Sequence, residues 1–269
     1  MSTHLGLFRS LAVLAQYRGR LWQSVVQEVR LRYAGSILGL AWAVVYPLLL
    51  LSLYAVVYVV IFKIRPSSLN SYEYVVLVFS GLVPILAFNE AVMTSAMSLV
   101  SNRTLLMNTV FPAELIPVRS VLAAQIPSIS SMAATLAGGY WLGRTGWQAP
   151  LMVPILWLML VMFCLGLGWI LALLTLVMRD IQHALGLVLM ALVILSPFAY
   201  TPDMVPVGLR PLLYLNPLTC FVLCFQQVIT YGVWPDSDIF LQALALSAGT
   251  FFGGFWFFRR AKFVFFDYA

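Results

Sequence analysis

Two lysines, Lys63 and Lys262, are the only ones in the chain. A phosphate-cradling P-loop needs a glycine-rich turn ending in Lys followed by Ser or Thr. Here Lys63 precedes Ile64 and Lys262 precedes Phe263. Chemistry on ATP therefore has to be supplied by another chain. His4 and His183 are the only histidines and neither sits in an H-E-x-x-H context. No G-x-S-x-G nucleophile elbow is present either. Cys220 and Cys224 lie one helical turn apart, but no His or acid is close in sequence. Together with Cys164 they read as packing residues, with no metal ligand set and no structural disulfide expected. The nine acids are scattered, mostly at helix ends. A membrane enzyme would need paired acids, a Ser/Lys dyad or a metal cluster within its spans, and these residues form none.

Glu90 stands apart from the other acids. It falls beside Asn89 inside a long apolar segment. An ionisable side chain within a bilayer is a functional hypothesis by default. It fits a polar conduit, a paired or protonated structural residue, or a shallower position. A second group is aromatic. Trp42, Tyr46, Tyr54, Tyr58 and Phe62 recur along one segment and spread over about half of a helix circumference. Tyrosine hydroxyls deep in a bilayer need partners. Sugar rings stack on aromatics and bond to hydroxyls, so a sugar-lined conduit is one reading. An interfacial aromatic belt with ordinary packing is the other.

The elements that must position these residues follow from composition. Hydrophobic residues make up 62% of the 269 and charged residues 9%. A soluble domain needs far more charged surface. The apolar runs are too long for barrel strands and lack their alternation. The chain reads as an all-α integral membrane protein with six transmembrane helices. These are expected at residues 37–62, 74–100, 116–142, 151–178, 183–200 and 239–258. No cleavable signal peptide is expected, because the early apolar run is short and precedes Arg18 and Arg20.

Residues 1–36 are expected to form amphipathic interfacial helices. Leu7, Phe8, Leu11 and Leu14 share one face, and Leu21, Trp22, Val25, Val26 and Val29 another. Gln23, Gln27 and Arg30 point away from the second face. Residues 37–258 form the transmembrane domain, with a cytoplasmic loop at 101–116, and residues 259–269 form a tail. The stretch 201–238 is apolar yet broken by Pro202, Pro206, Pro211, Pro217 and Pro235. Short re-entrant helices before the last span explain it, as does a helix pair lying on the outer surface.

Charge sets the expected orientation. With both termini cytoplasmic, the inner pieces hold Arg9, Arg18, Arg20, Arg30, Arg32, Arg103, Arg119, Arg179, Arg259, Arg260 and Lys262. The outer pieces hold Lys63, Arg65, Arg144 and Arg210. Eleven against four is the positive-inside pattern. The net charge of +6 is thus a topology signal, and no nucleic-acid partner is expected. The sequon at Asn102-Arg103-Thr104 falls on the cytoplasmic side and reads as chance.

Several local patterns together resemble one family. Glu28-Val29-Arg30-Leu31-Arg32-Tyr33, then Ser36, Leu38-Gly39, Trp42 and Pro47, resemble the approach to the first span in type-2 ABC exporter permeases. Gly81-Leu82 with Phe88 resembles their second span, although Pro84-Ile85 stands where the family often has a Trp. Asn102-Arg103-Thr104-Leu105-Leu106, leading to Phe111-Pro112-Ala113-Glu114, looks like their ATPase-docking loop. Arg179-Asp180-Ile181, Ser196-Pro197 and Asn216-Pro217-Leu218 match later positions. The set most resembles the O-antigen and capsular-polysaccharide (Wzm and KpsM) group, with teichoic-acid exporters close by.

The resemblance implies a permease homodimer with two P-loop ATPase subunits. ATP and Mg would sit on those subunits, with no cofactor on this chain. A polysaccharide, usually lipid-linked, would pass between the permeases toward periplasmic export components in a bacterial inner membrane. Small lipid or drug export is the alternative cargo. On this picture Trp42, Tyr46, Tyr54, Tyr58, Asn89, Glu90 and Tyr200 line the conduit. Glu28, Arg30, Arg32 and Tyr33 form a cytoplasmic gate whose basic side meets pyrophosphate on the substrate lipid, or simply anchors to headgroups. Asn102, Arg103, Leu106, Phe111, Pro112 and Glu114 couple to the ATPase, unless they form an ordinary loop. Tyr214, Asn216, Pro217 and Phe221 form an outer lid.

Overall fold

The computed structural model describes residues 16–62, 69–102 and 112–266, and every regular element among them is a helix. Arg18–Arg32 is α1. Trp42–Ala55 is α2, extended by a π-helical stretch Val56–Phe62. Ser71–Ser101 is α3, Leu115–Trp141 is α4 and Ala149–Val177 is α5. Ile181–Leu195 is α6, Arg210–Leu215 is α7, Leu218–Ile229 is α8 and Ser237–Phe266 is α9.

Five helical segments are long and apolar enough to cross a membrane: Gly39–Tyr58, Ser71–Ser101, Leu115–Trp141, Ala149–Val177 and Ser237–Lys262. The span expected at 183–200 is instead the 15-residue α6. At 1.5 Å per residue it covers about 22 Å, less than the ~30 Å hydrocarbon core. The cause is local. Pro197 disfavours helical backbone at the residue before it, and Ser196 is extended with ψ at 136°.

The helix starts are written in the sequence. Asn70 caps α3 by accepting from the Tyr72 and Glu73 N–H groups at 3.0 and 2.9 Å. The Glu73 carboxylate accepts from the Asn70 N–H at 2.8 Å, completing a capping box. Between α1 and α2 the chain reverses over Gly35 (φ 77°) and Gly39 (φ 51°), and the Ser36 hydroxyl accepts from the Gly39 N–H. Only glycine takes that left-handed backbone without strain.

Helices α3 and α5 form the centre, and α4, α8 and α9 pack around them. Helices α5 and α9 touch backbone to backbone. A Cβ on Gly166 would strike the Thr250 carbonyl, and one on Gly254 would strike the Gly166 carbonyl. Lipid offers little hydrophobic drive between helices, so such close approach supplies the attraction. Phe88 of α3 stacks on Phe163 of α5 at 5.3 Å, and Phe163 stacks on Phe221 of α8 at 5.6 Å.

The proline-broken segment re-enters the bundle. Helix α8 has 12 residues, about 18 Å, and eleven of them are buried. Its first half reaches Phe163, midway along α5, and its last residue meets Thr145 in the turn between α4 and α5. The alternative of a helix pair on the outer surface does not describe α8. Irregular backbone at such depth must find partners inside the protein. The Gln226 amide donates to the Pro197 and Phe198 carbonyls at 3.1 and 3.3 Å. The Tyr74 hydroxyl donates to the Ala199 carbonyl at 2.7 Å. Gly81 makes room, since a Cβ there would lie 3.0 Å from Phe198 and Val222 atoms.

Charged groups collect at the two ends of the bundle, as the cost of burying them in hydrocarbon requires. At one end Arg144 bonds Glu73 at 2.7 Å. Glu73 in turn holds the Arg144 proton more firmly than usual, raising its pKa. At the other end Arg119 meets Glu28 at 2.5 Å and donates to the Asn102 side chain at 2.8 Å. Lys262 pairs there with Glu114 at 2.6 Å, so it does more than stop the last span. Both α1 and the end of α9 are thus tied to the first turns of α4.

Candidate functional site

A cavity of about 730 Å³ opens among the end of α1 and helices α2, α3, α4 and α6. Arg32 and Tyr33 from the end of α1, Trp42 and Tyr46 from α2, and Asn89 and Glu90 from α3 all line it. The structure thus brings together six residues that the sequence singled out under two separate headings, gate and conduit. A cavity of this size is ordinary for a ligand site.

Each side chain has a structural reason to be there. Helix α1 buries Leu21, Val25 and Val29, a strict i, i+4, i+8 stripe, and packs mainly on α4. That is narrower than the face expected, because Trp22 is 64% exposed. Packing on α4 aims the last turn of α1 at the cavity, where Arg32 Nη1 donates to Glu90 Oε1 at 2.7 Å. Tyr33 lies beside this pair. Burial raises its pKa, Arg32 opposes the shift and Glu90 adds to it, so its hydroxyl stays a donor at neutral pH. Arg30 is exposed and does not line the cavity. Glu28 instead ties α1 to Arg119.

Helix α2 carries Pro47 in its interior, and that proline lines the cavity. A proline inside a helix frees the carbonyl four residues earlier. That carbonyl is Ala43, and the Ser130 hydroxyl of α4 reaches it at 3.4 Å. Helix α4 carries its own proline, Pro127, and presents Ser128 and Ser131 to the cavity. The Ser131 hydroxyl and the Asn89 side-chain oxygen are buried without a hydrogen-bond partner among the described residues. A buried unsatisfied polar atom is costly, and both belong to residues that line the cavity. Reasoning from sequence missed Ser128 and Ser131. Their signal is a polar stripe, Ser128, Ser131 and Thr135, at helical spacing within an apolar span.

Tyr54, Tyr58 and Tyr200 are placed elsewhere. Tyr54 and Tyr58 stack at 6.3 Å, and both meet Phe198 edge-on at about 6 Å. The Tyr200 hydroxyl donates to the Leu195 carbonyl at 3.0 Å. These form an aromatic cluster where α2 meets the turn after α6, further along α2 than the cavity. The side chain of Phe62 is not among those described.

Of the expected ATPase-coupling residues, Arg103, Leu106 and Phe111 lie outside the described residues. Asn102 ends α3 and accepts from Arg119. Pro112 sits in a turn just before α4, ahead of its first helical turn. Glu114 precedes Leu115, is 8% exposed, and its backbone carbonyl accepts from the Trp169 indole at 2.9 Å. Of the expected lid, only Tyr214 is exposed. The Asn216 amide donates to Leu192 O and Ser196 Oγ, while its oxygen accepts from the Leu218 N–H. With Pro217 and Phe221 it seats the re-entrant helix against α5 and α6.

A bundle of membrane-crossing helices with a re-entrant helix and a lined cavity defines a transport-type integral membrane protein. The chain belongs to the ABC-2 type transporter family, whose model matches residues 20–230. Members of that family work with an ABC ATPase. The chain is 28% identical over 243 residues to the O-antigen export system permease protein RfbA of Myxococcus xanthus, covering 90% of this chain and 92% of that one. It is 26% identical over 208 residues to the protein of the same name from Klebsiella pneumoniae, covering 77% and 78% respectively.

Proposed function

We propose that this protein is the permease subunit of an ATP-driven exporter that moves a polysaccharide, lipid-linked in its usual form, across a bacterial inner membrane. The observation that carries this reading is the cavity. Trp42 and Tyr46 bring aromatic rings to its lining, and Asn89, Ser128 and Ser131 bring hydrogen-bonding side chains. That combination suits sugar rings, and the family membership and the relatives' names agree with it. The permease contributes no nucleotide chemistry. ATP and Mg bind on two copies of a separate P-loop ATPase, docked where Asn102 and Glu114 flank residues 103–111.

Two permease copies form the conduit. Helix α2 supports this, because only 11% of its apolar window is buried within one chain. Its bare face meets the second copy, extending the cavity into a path past Tyr54, Tyr58 and Tyr200. The Arg119–Glu28 end faces the cytoplasm with both termini, in keeping with the positive-inside count. The Glu73–Arg144 end faces the periplasm, where export components receive the polymer. There Tyr214, next to the re-entrant helix, closes the exit.

The deciding experiment is ATPase activity of the purified chain in nanodiscs, alone and with a candidate P-loop ATPase partner. Activity and a stable complex only with the partner support the permease reading. Failure to bind any such ATPase ends it. A second cargo, a small lipid, is favoured by the apolar wall of Leu50, Val83 and Leu86. Stimulation by lipid but not by polysaccharide would select it.

A further inference from the structure

The cavity wall holds an ion pair, Arg32–Glu90, at 2.7 Å. Its two sides are unequal. The Glu90 side chain is 49% exposed and the Arg32 side chain 26%. Glu90 belongs to the central helix α3, while Arg32 ends the peripheral helix α1. A guanidinium can bind two oxygens of one carboxylate or phosphate through parallel N–H bonds. Here Arg32 gives Glu90 a single hydrogen bond from Nη1, its one partner among the described residues. The pair is therefore incomplete as well as half open.

Neutral polar residues share the cavity with it. Asn89 Oδ1 and Ser131 Oγ are unpartnered, and Ser131 is only 3% exposed. Tyr33, with its hydroxyl held protonated, adds a donor to the lining. We propose that Glu90 is an internal competitor for Arg32, displaced when the oxyanion of a hydroxyl-rich ligand, a sugar phosphate or a uronic acid, enters the cavity. The ligand's charged group takes the guanidinium, and its hydroxyls meet Asn89 and Ser131. The freed Glu90, already about half exposed, swings away from the guanidinium. This rests on the cavity being the substrate's path, and it adds a charge preference to that path. Neutral sugar makes only the hydroxyl contacts and leaves the ion pair closed.

The test is ligand-observed NMR titration of the full chain in neutral-lipid nanodiscs with glucose 1-phosphate, glucuronate and glucose. Glu90→Gln is expected to bind glucose 1-phosphate about fivefold tighter than wild type, the factor for removing a competitor in a partly exposed ion pair. Glucose binding should stay within about twofold. Arg32→Gln should lose the preference for the anions, and Arg18→Gln, remote on the first turn of α1, should keep it. A gain for glucuronate as well supports recognition of any oxyanion, and a gain for glucose 1-phosphate alone supports a phosphate. Equal gains for all three sugars, or none for either anion, overturn the proposal. So does loss of anion preference in Arg18→Gln equal to that in Arg32→Gln. Misfolding cannot mimic tighter binding by Glu90→Gln. The result is separate from ATPase complex formation, so each reading can fail without the other.

Discussion

Ser130 of α4 donates its hydroxyl to the Ala43 carbonyl, the group that Pro47 leaves without its helical partner. The hydroxyl's single proton is shared with the Pro127 carbonyl of its own helix, the nearer acceptor at 2.7 Å against 3.4 Å to Ala43. Two proline-containing helix segments that line the cavity are thus joined by one side chain. Ser130→Ala should leave the Ala43 carbonyl unpaired and cost about 1 kcal/mol. Its signature is faster amide exchange in α2 than in α3, measured by hydrogen–deuterium exchange mass spectrometry.

Asn216 satisfies three backbone or side-chain groups at the turn into α8. Asn216→Ala removes them all from a buried site and should lower stability by roughly 2–3 kcal/mol. Asn216→Asp keeps the acceptor for the Leu218 N–H but loses both donors, so it should not rescue. Thermal unfolding in detergent, followed by circular dichroism, ranks the variants. Equal melting temperatures for wild type and Asn216→Ala would show that the re-entrant turn is held by other contacts.

Phe221 caps the aromatic stack that runs through Phe163 to Phe88. Phe221→Ala opens a void in the centre of the bundle and should destabilise by roughly 3–5 kcal/mol. Phe221→Leu fills most of the volume and should recover much of that loss. A different failure is expected of Gly81→Val, which pushes side-chain atoms into Phe198 and Val222. It should detach the turn after α6, read as new protease sensitivity near Ser196.

Glu28 and Arg119 join α1 to α4 beside Asn102. Their side chains are 20% and 13% exposed, so the pair is better shielded than a surface salt bridge. Glu28→Gln and Arg119→Gln should each uncouple ATP hydrolysis from export, while the double variant should be no worse than either alone. Transport per ATP in reconstituted vesicles measures this. Strictly additive losses would mean that the two residues act independently.

Much of the fold was legible because a bilayer is a demanding solvent. Long apolar runs have to be helices there, so every central span could be read from residue type alone. The capping box at Asn70 and the re-entrant character of the proline-broken segment were equally open to local rules. Span length was less so. Residues 183–200 are apolar to the end, yet Pro197 stops α6 early, and hydropathy alone does not register that backbone constraint.

The sequence by itself determined an all-helical membrane protein with several long apolar spans and no P-loop motif. Those properties depend on composition and on neighbours within a turn or two. Tertiary structure decided which flagged residues share a site. Trp42, Asn89, Glu90 and Arg32 converge because α1, α2 and α3 all pack on α4, contacts between segments far apart in the chain. Tyr54, Tyr58 and Tyr200 were diverted to another cluster by Phe198, and Asn216 and Phe221 to seating α8. Side-chain partners across a helix bundle depend on rotation and crossing of whole helices, which no single stretch of sequence encodes.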